Sequence, residues 1–196
     1  MIRTMQVLAG IALLGGCGSE PVATEVTADI QPRVAASAVT SQASRAAEAR
    51  DLAALRAATG RFHNFATAFA AGHTFLFMNM CMVDESADNL GGMGYHYVDT
   101  GLLDGTVDVR TPEAILYEPQ PNGQLRLVGV EYVIPKDAWT SEDPPVLFGR
   151  ELKLNAFDLW ALHVWIWEDN PSGMFADWNP RVTCDYAPAA TAASHH

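Results

Sequence analysis

Ala114–Ile134 reads AILYEPQPNGQLRLVGVEYVI. Two runs rich in β-branched and aromatic residues, Ala114–Glu118 and Gln124–Ile134, flank Pro119–Gly123, and Asn122-Gly123 favours the positive φ of a tight turn. The stretch therefore predicts a β-hairpin. On strict alternation Glu131 shares a face with Leu127, Gly129 and Val133, while Val128, Val130, Tyr132 and Ile134 take the other. Both faces are apolar enough to be buried. Strand signals continue on either side. Met93–Val98 (MGYHYV) follows the pair Gly91-Gly92, and Asp104-Gly105 marks a turn. Val146–Gly149 reads as a short strand. Leu159–Glu168 (LWALHVWIWE) reads as a strand rather than a helix, because it is dense in β-branched and aromatic side chains and stops at Asn170-Pro171.

The N-terminal third has a different character. No Phe, Tyr or Trp occurs before Phe62. Residues 41–59 are rich in alanine, and Leu52, Leu55, Thr59, Phe62, Ala66 and Phe69 recur at three-four spacing, which predicts a helix docking by that face and kinked or interrupted at Gly60. The fold class predicted is α+β: an N-terminal helical segment packed on a curved, mostly antiparallel sheet, with closure into a small barrel as a further option. The chain has 196 residues, 49% apolar and 18% charged, which suits one such domain with a sizeable core. Its 23 acidic against 12 basic residues give a net charge of -11, which repels nucleic-acid phosphates and excludes that partner.

The first residues read as an address. Arg3 supplies a positive n-region, Val7–Leu14 a short apolar core too short to span a bilayer, and Leu14-Gly15-Gly16-Cys17 resembles the lipobox of bacterial lipoproteins. That assigns 1–16 to a signal peptide and Cys17 to lipidation. It anchors the protein to a membrane through N-terminal acyl chains, in the bacterial cell envelope and facing outside the cytoplasm. Residues 17–40 read as a flexible tether, 41–186 as the single domain and 187–196 as a disordered tail. With Cys17 lipidated, Cys81 and Cys184 are an even pair in a compartment where disulfides persist. A bridge between them closes a loop of about 100 residues, worth ~4–5 kcal/mol in the chain-entropy view. Free buried thiols or metal ligation are the alternatives.

Serine-hydrolase, zincin and P-loop signatures are missing from the chain. Asp84–Asn89 resembles a calcium loop but has asparagine at the sixth place and Tyr95 at the twelfth, so it reads as a solvated acidic loop. The sharper constellation is His96, Glu131 and His163, each inside a predicted strand. A carboxylate or imidazole in an apolar strand is costly unless paired or metal-bound. Two imidazoles and a carboxylate from separate strands form a site with open positions, suited to Fe, Zn or Mn, with Tyr97, Tyr117 and Tyr132 as supporting groups. The competing reading satisfies each separately: His96 by Tyr95 or Tyr97, Glu131 by Arg126 or Arg110, His163 by an indole or backbone group. A rival site is Met78, Met80 and Met82, whose thioethers share one face of an extended segment and, with His73, suit copper.

The succession Gly91-Gly92-Met93-Gly94-Tyr95-His96-Tyr97, Tyr117-Glu118-Pro119, Val130-Glu131-Tyr132, Ala161-Leu162-His163-Val164-Trp165 and Asn170–Pro180 (NPSGMFADWNP) resembles an uncharacterised family of secreted bacterial proteins, over about residues 61–184. The resemblance implies export and assigns no catalytic role. Three functions follow from the residues: a lipid-anchored envelope protein holding a metal at the two-His/one-carboxylate site, a non-enzymatic module binding an apolar small molecule or partner through the Trp160–Trp178 cluster, and a Met-rich copper-handling protein.

Overall fold

The computed structural model describes residues 30–188, with side chains from Thr40 onward. The signal peptide over 1–16, the lipidation site Cys17, the first part of the tether and the tail from residue 189 lie outside the described residues. The chain divides into two units, Met1–Val39 and Thr40–His196. Helix α1 runs Ile30–Thr59, so residues 30–40 of the expected tether are helical instead. Pro32 falls in the first turn, where there is no hydrogen bond to lose, and Ala35, Ala36 and Ala38 follow it. A composition too poor in large side chains to build a core still favours a helix.

From Leu52 to Phe62 the expected docking face holds, with Leu55, Thr59 and Phe62 buried. Thr59 donates to the Leu55 carbonyl at 2.8 Å and accepts from the Trp167 indole. Gly60 then opens a 3₁₀ turn, Gly60–His63, and resets the period. Asn64 caps the short helix α2, Phe65–Ala70, by accepting from the Ala66 N–H. Phe65 and Ala68 now point inward, whereas Ala66 and Phe69 are exposed, contrary to the extrapolated spacing.

The sheet is antiparallel throughout: β1 (Phe75–Leu76), β3 (Gly92–Val98), β4 (Ala114–Pro119), β5 (Leu125–Pro135), β9 (Leu159–Val164) and β8 (Lys153–Leu154) lie side by side in that order, and β2 (Met82–Val83) also pairs with β3. A separate ribbon pairs β6 (Val146–Leu147) with β7 (Arg150–Glu151). The sheet stays open, so the barrel option is not realised. The β4–β5 hairpin forms as expected. Its turn is closed by Gln120 N–H on Gln124 O at 2.9 Å, with Gly123 at φ 77°.

One bulge decides what faces where. Leu116 opposes Gly129 and Tyr117 opposes Leu127, so Val128 has no partner across the hairpin. Its carbonyl accepts instead from the N–H groups of Trp167 and Glu168. The inserted residue exchanges Leu127 and Val128 relative to strict alternation. Leu127 joins the helix-side core with Ile115, Tyr117, Val130, Tyr132, Ile134, Leu162 and Val164, packed on Leu55, Phe62 and Phe148. Val128 clusters with Leu116, Trp165 and Val182 instead. Each such buried aliphatic side chain contributes about 1.5–3 kcal/mol by leaving water.

Cys81 and Cys184 are bonded, with Cα atoms 5.8 Å apart. The bridge pins the segment before β2 to the C-terminal loop. No helix among the described residues is long and apolar enough to cross a membrane.

Candidate metal centre

The face of the sheet opposite the helices carries His96 on β3, Glu131 on β5 and His163 on β9. Glu131 and His163 are register partners. His96 sits two strands away, beyond β4, whose facing residues there are Ala114, opposite Glu131, and Leu116, opposite His96. Alanine at 114 leaves space above β4, and the imidazole and the glutamate meet across it. Gly94 prepares the approach of β3. It sits at φ 81°, and a Cβ there would lie 2.4 Å from the Tyr117 carbonyl oxygen.

His96 Nε2 lies 3.4 Å from His163 Nε2. Glu131 places one carboxylate oxygen 3.6 Å from His96 Nε2 and the other 3.6 Å from His163 Nε2. All three residues are buried. Two metal–nitrogen bonds of about 2.0–2.1 Å that meet near the tetrahedral angle leave their nitrogens about 3.4 Å apart. The two nitrogens therefore stand at the spacing a shared ion requires, one oxygen of Glu131 brings all three donor atoms within 4.8 Å of one another, and this buried His-Glu-His group could hold an ion.

The electrostatics of the two imidazoles fit the same use, whereas the glutamate would give up a proton on binding an ion. Burial, and then the nearby His163, lowers the His96 imidazole to about 3. Burial, then Lys153, lowers His163 to about 4. Both rings are neutral at ordinary pH and offer lone pairs. Burial, then Glu113 and Asp177, raises Glu131 to about 8. Among the described residues, the basic side chains within 4 Å of the carboxylate are the two imidazoles. The separate partners expected for these groups, Arg110 included, do not pair with them. Arg126 pairs with Glu118 and Glu168. Tyr95 and Tyr97 project to the helix side. Trp165 stacks on His163 at 6.0 Å, while its indole N–H donates to the Ala176 carbonyl.

Comparisons with protein-family models, curated proteins and solved structures find no match for this chain. The site must be read from its own chemistry.

The supporting role given to three tyrosines is corrected. Tyr97, Tyr117 and Tyr132 belong to the opposite face, where Tyr117 donates to the Phe62 carbonyl and Tyr132 to that of Val109, each at 2.7 Å. Alternation separates them from the triad at once, since His96 neighbours Tyr97 and Glu131 neighbours Tyr132 in sequence. The copper reading loses its geometric premise. Met78 and Asn79 adopt left-handed backbone inside a 3₁₀ turn, Phe77–Asn79, so the methionine run is not extended. His73 is buried against Phe62, with Nε2 at 3.1 Å from the Pro112 carbonyl.

The sequence places an apolar pocket at the Trp160–Trp178 cluster, and Trp178 is the one tryptophan among the described residues lining the chamber; that this chamber stands above the triad was missed. A cavity of about 710 Å³ is walled by Phe75, Phe77, Met82, Leu154, Phe157 and Leu159, with the triad on its floor. Lys153 and Asp177, paired at 3.0 Å, lie at the same cavity, both exposed. Its walls come from short strands and turns with no periodic signature. Val133 and Ala161, on the face of Glu131 and His163, were the available hint. Glu113 was also missed. It is buried, accepts from the Val133 N–H at 3.0 Å, and is raised to about 7, chiefly by burial.

Proposed function

We propose that this chain is a metal-binding protein, holding a divalent transition ion on His96 Nε2, His163 Nε2 and a Glu131 carboxylate oxygen. The observation that carries the reading is three buried donors within 4.8 Å of one another, the two imidazole nitrogens 3.4 Å apart, that lack other side-chain partners. The donor set of two imidazoles and one carboxylate suits zinc, iron(II) or manganese. Three protein ligands leave coordination positions that open onto the cavity, where the ion supplies a Lewis acid or an oxygen-binding centre.

The disulfide agrees with a location outside the cytoplasm. We extend the reading to a secreted bacterial protein tethered to a membrane surface by lipid at Cys17. The export-type N-terminus and the resemblance over residues 61–184 support that extension.

Elemental analysis of the untagged protein, refolded or dialysed with zinc, iron(II) and manganese in turn, tests the metal. The expected result is one tightly held ion per chain, lost in His96→Ala and His163→Ala while the disulfide and secondary structure remain. A natively folded chain that takes up none of the three ions would contradict it.

A further inference from the structure

The cavity is chemically lopsided. Its walls are aromatic and aliphatic, and its floor is polar. Phe75, Leu154 and Phe157 remain 41–51% exposed, so apolar surface reaches solvent around the chamber. Exposed apolar surface next to a deep chamber marks a binding site for an apolar body. About 710 Å³ lies in the range of chambers that enclose small organic molecules, roughly 300–1,000 Å³.

The charged groups along the walls are already paired with each other. Lys153 Nζ is paired with Asp177, so the two charges cancel locally. The Asn155 carboxamide oxygen accepts from the N–H groups of Phe157 and Leu159. The strongest partner for a ligand's anionic head is therefore at the floor. There, a divalent ion on two neutral imidazoles and one carboxylate carries one net positive charge inside an apolar enclosure. Such a charge is costly unless compensated, and an anionic oxygen ligand compensates it while filling an open coordination position.

We propose that the cavity binds a small anionic amphiphile, an aryl or alkyl body ending in one carboxylate or comparable oxyanion that completes the coordination of the ion on His96, Glu131 and His163. The proposal rests on the metal reading above and adds the ligand class. The apolar body lies against Phe75, Phe77, Leu154 and Phe157, and the head reaches the floor.

The test is calorimetric titration of the zinc-loaded, full-length protein with phenylbutyrate, phenylbutanol and phenylbutyl-trimethylammonium, after zinc content has been measured. Phenylbutyrate is expected to bind about tenfold or more tighter than the alcohol, with the cation weakest. Removing zinc should abolish the preference for the carboxylate. Ala156→Trp, in the exposed segment lining the cavity, and Ala161→Leu, inside it, should weaken the carboxylate and the alcohol alike while zinc content stays at one per chain. Equal affinity for carboxylate and alcohol on zinc-loaded protein overturns the ligand class and leaves the metal reading standing. So does binding that neither variant weakens. A folded chain that holds no zinc removes the metal reading, and this ligand class falls with it.

Discussion

Glu131 and His163 oppose one another across β5 and β9, and a carboxylate oxygen of the first lies 3.6 Å from Nε2 of the second. Their pairing is set by strand register, so a slip of one residue on either strand would turn one of them to the helix side. The register is held by the alternating apolar residues around them. Val130, Tyr132, Leu162 and Val164 pack on the opposite face. The polar cluster is thus positioned by the hydrophobic core on the other side of the sheet.

Glu131→Gln separates a metal role from a structural one. The amide keeps the shape and removes the charge, so affinity for zinc should fall by about two orders of magnitude or more, measured by competition with a chelator. The metal-free variant should be as stable as the parent, or more stable by about 1–3 kcal/mol, because burying this carboxyl costs free energy that no hydrogen-bond partner offsets. Denaturant titration in chelator checks this. A loss of several kcal/mol in the metal-free state would show that the carboxylate is there for the fold.

Stability of the metal-free protein should fall as pH rises from about 6.5 to 8. Glu131 is raised to about 8 and Glu113 to about 7, both from 4.5. The unfolded chain releases these protons first and so binds fewer than the folded chain, and the slope is negative. Each carboxyl still protonated in the folded state contributes about 1.4 kcal/mol per pH unit. Below 6.5 the histidines act in the opposite sense. His96 and His163 are lowered to about 3 and 4, so the unfolded chain takes up protons that the folded chain refuses, and their contribution is lost as pH falls. Between about 4.5 and 6.5 the two effects oppose. A bound ion keeps Glu131 anionic and should remove its share of the alkaline decline. Urea denaturation across this range, with chelator and with zinc, reads both slopes. A metal-free stability that rises between pH 6.5 and 8 would reverse the assignment.

Ala114→Leu should block the site from beneath. Residue 114 is fully buried on β4, opposite both Val98 and Glu131. Extra methyl groups there occupy the space through which His96 and Glu131 approach, and overpacking costs about 1–3 kcal/mol. The expected outcome is a folded, slightly less stable protein with zinc affinity reduced as severely as in His96→Ala. Unchanged affinity would mean that His96 does not reach the carboxylate over β4.

The Cys81–Cys184 bridge should stabilise the fold and the chamber together. It joins residues 103 apart in sequence. The neighbouring Met82 and the C-terminal Asp177 and Trp178 all line the cavity. Replacing both cysteines by serine should cost about 4–5 kcal/mol, seen as a lower midpoint in denaturant. It should also weaken any cavity ligand more than it weakens zinc binding.

Much of this was legible in the sequence because alternation and turn chemistry are local signals. The hairpin at Pro119–Gly123, the strand starting at Leu159 (expected to reach Glu168 but ending at Val164) and the interior placement of His96, Glu131 and His163 all follow from residues within a few positions of each. What was hidden depends on longer range or on exceptions to alternation. The bulge at Val128 exchanged two side chains between faces, and Gly129 inside an otherwise apolar strand was the residue that could have signalled it. Tyr97, Tyr117 and Tyr132 have the right chemistry for a supporting shell but the wrong parity. The left-handed turn at Met78-Asn79 broke a methionine pattern that assumed extended backbone. The cavity walls lie on short elements whose positions are fixed by the disulfide, by pairing of β1 and β2 with β3 and by pairing of β8 with β9, none of which a local pattern shows.

Anomalous diffraction at the zinc edge from crystals of zinc-loaded protein would locate the ion itself. One strong peak is expected about 2.0–2.1 Å from both His96 Nε2 and His163 Nε2 and at a similar distance from a Glu131 oxygen. Zinc found only on surface carboxylates or on the terminal histidines, with no density between these three side chains, would contradict it.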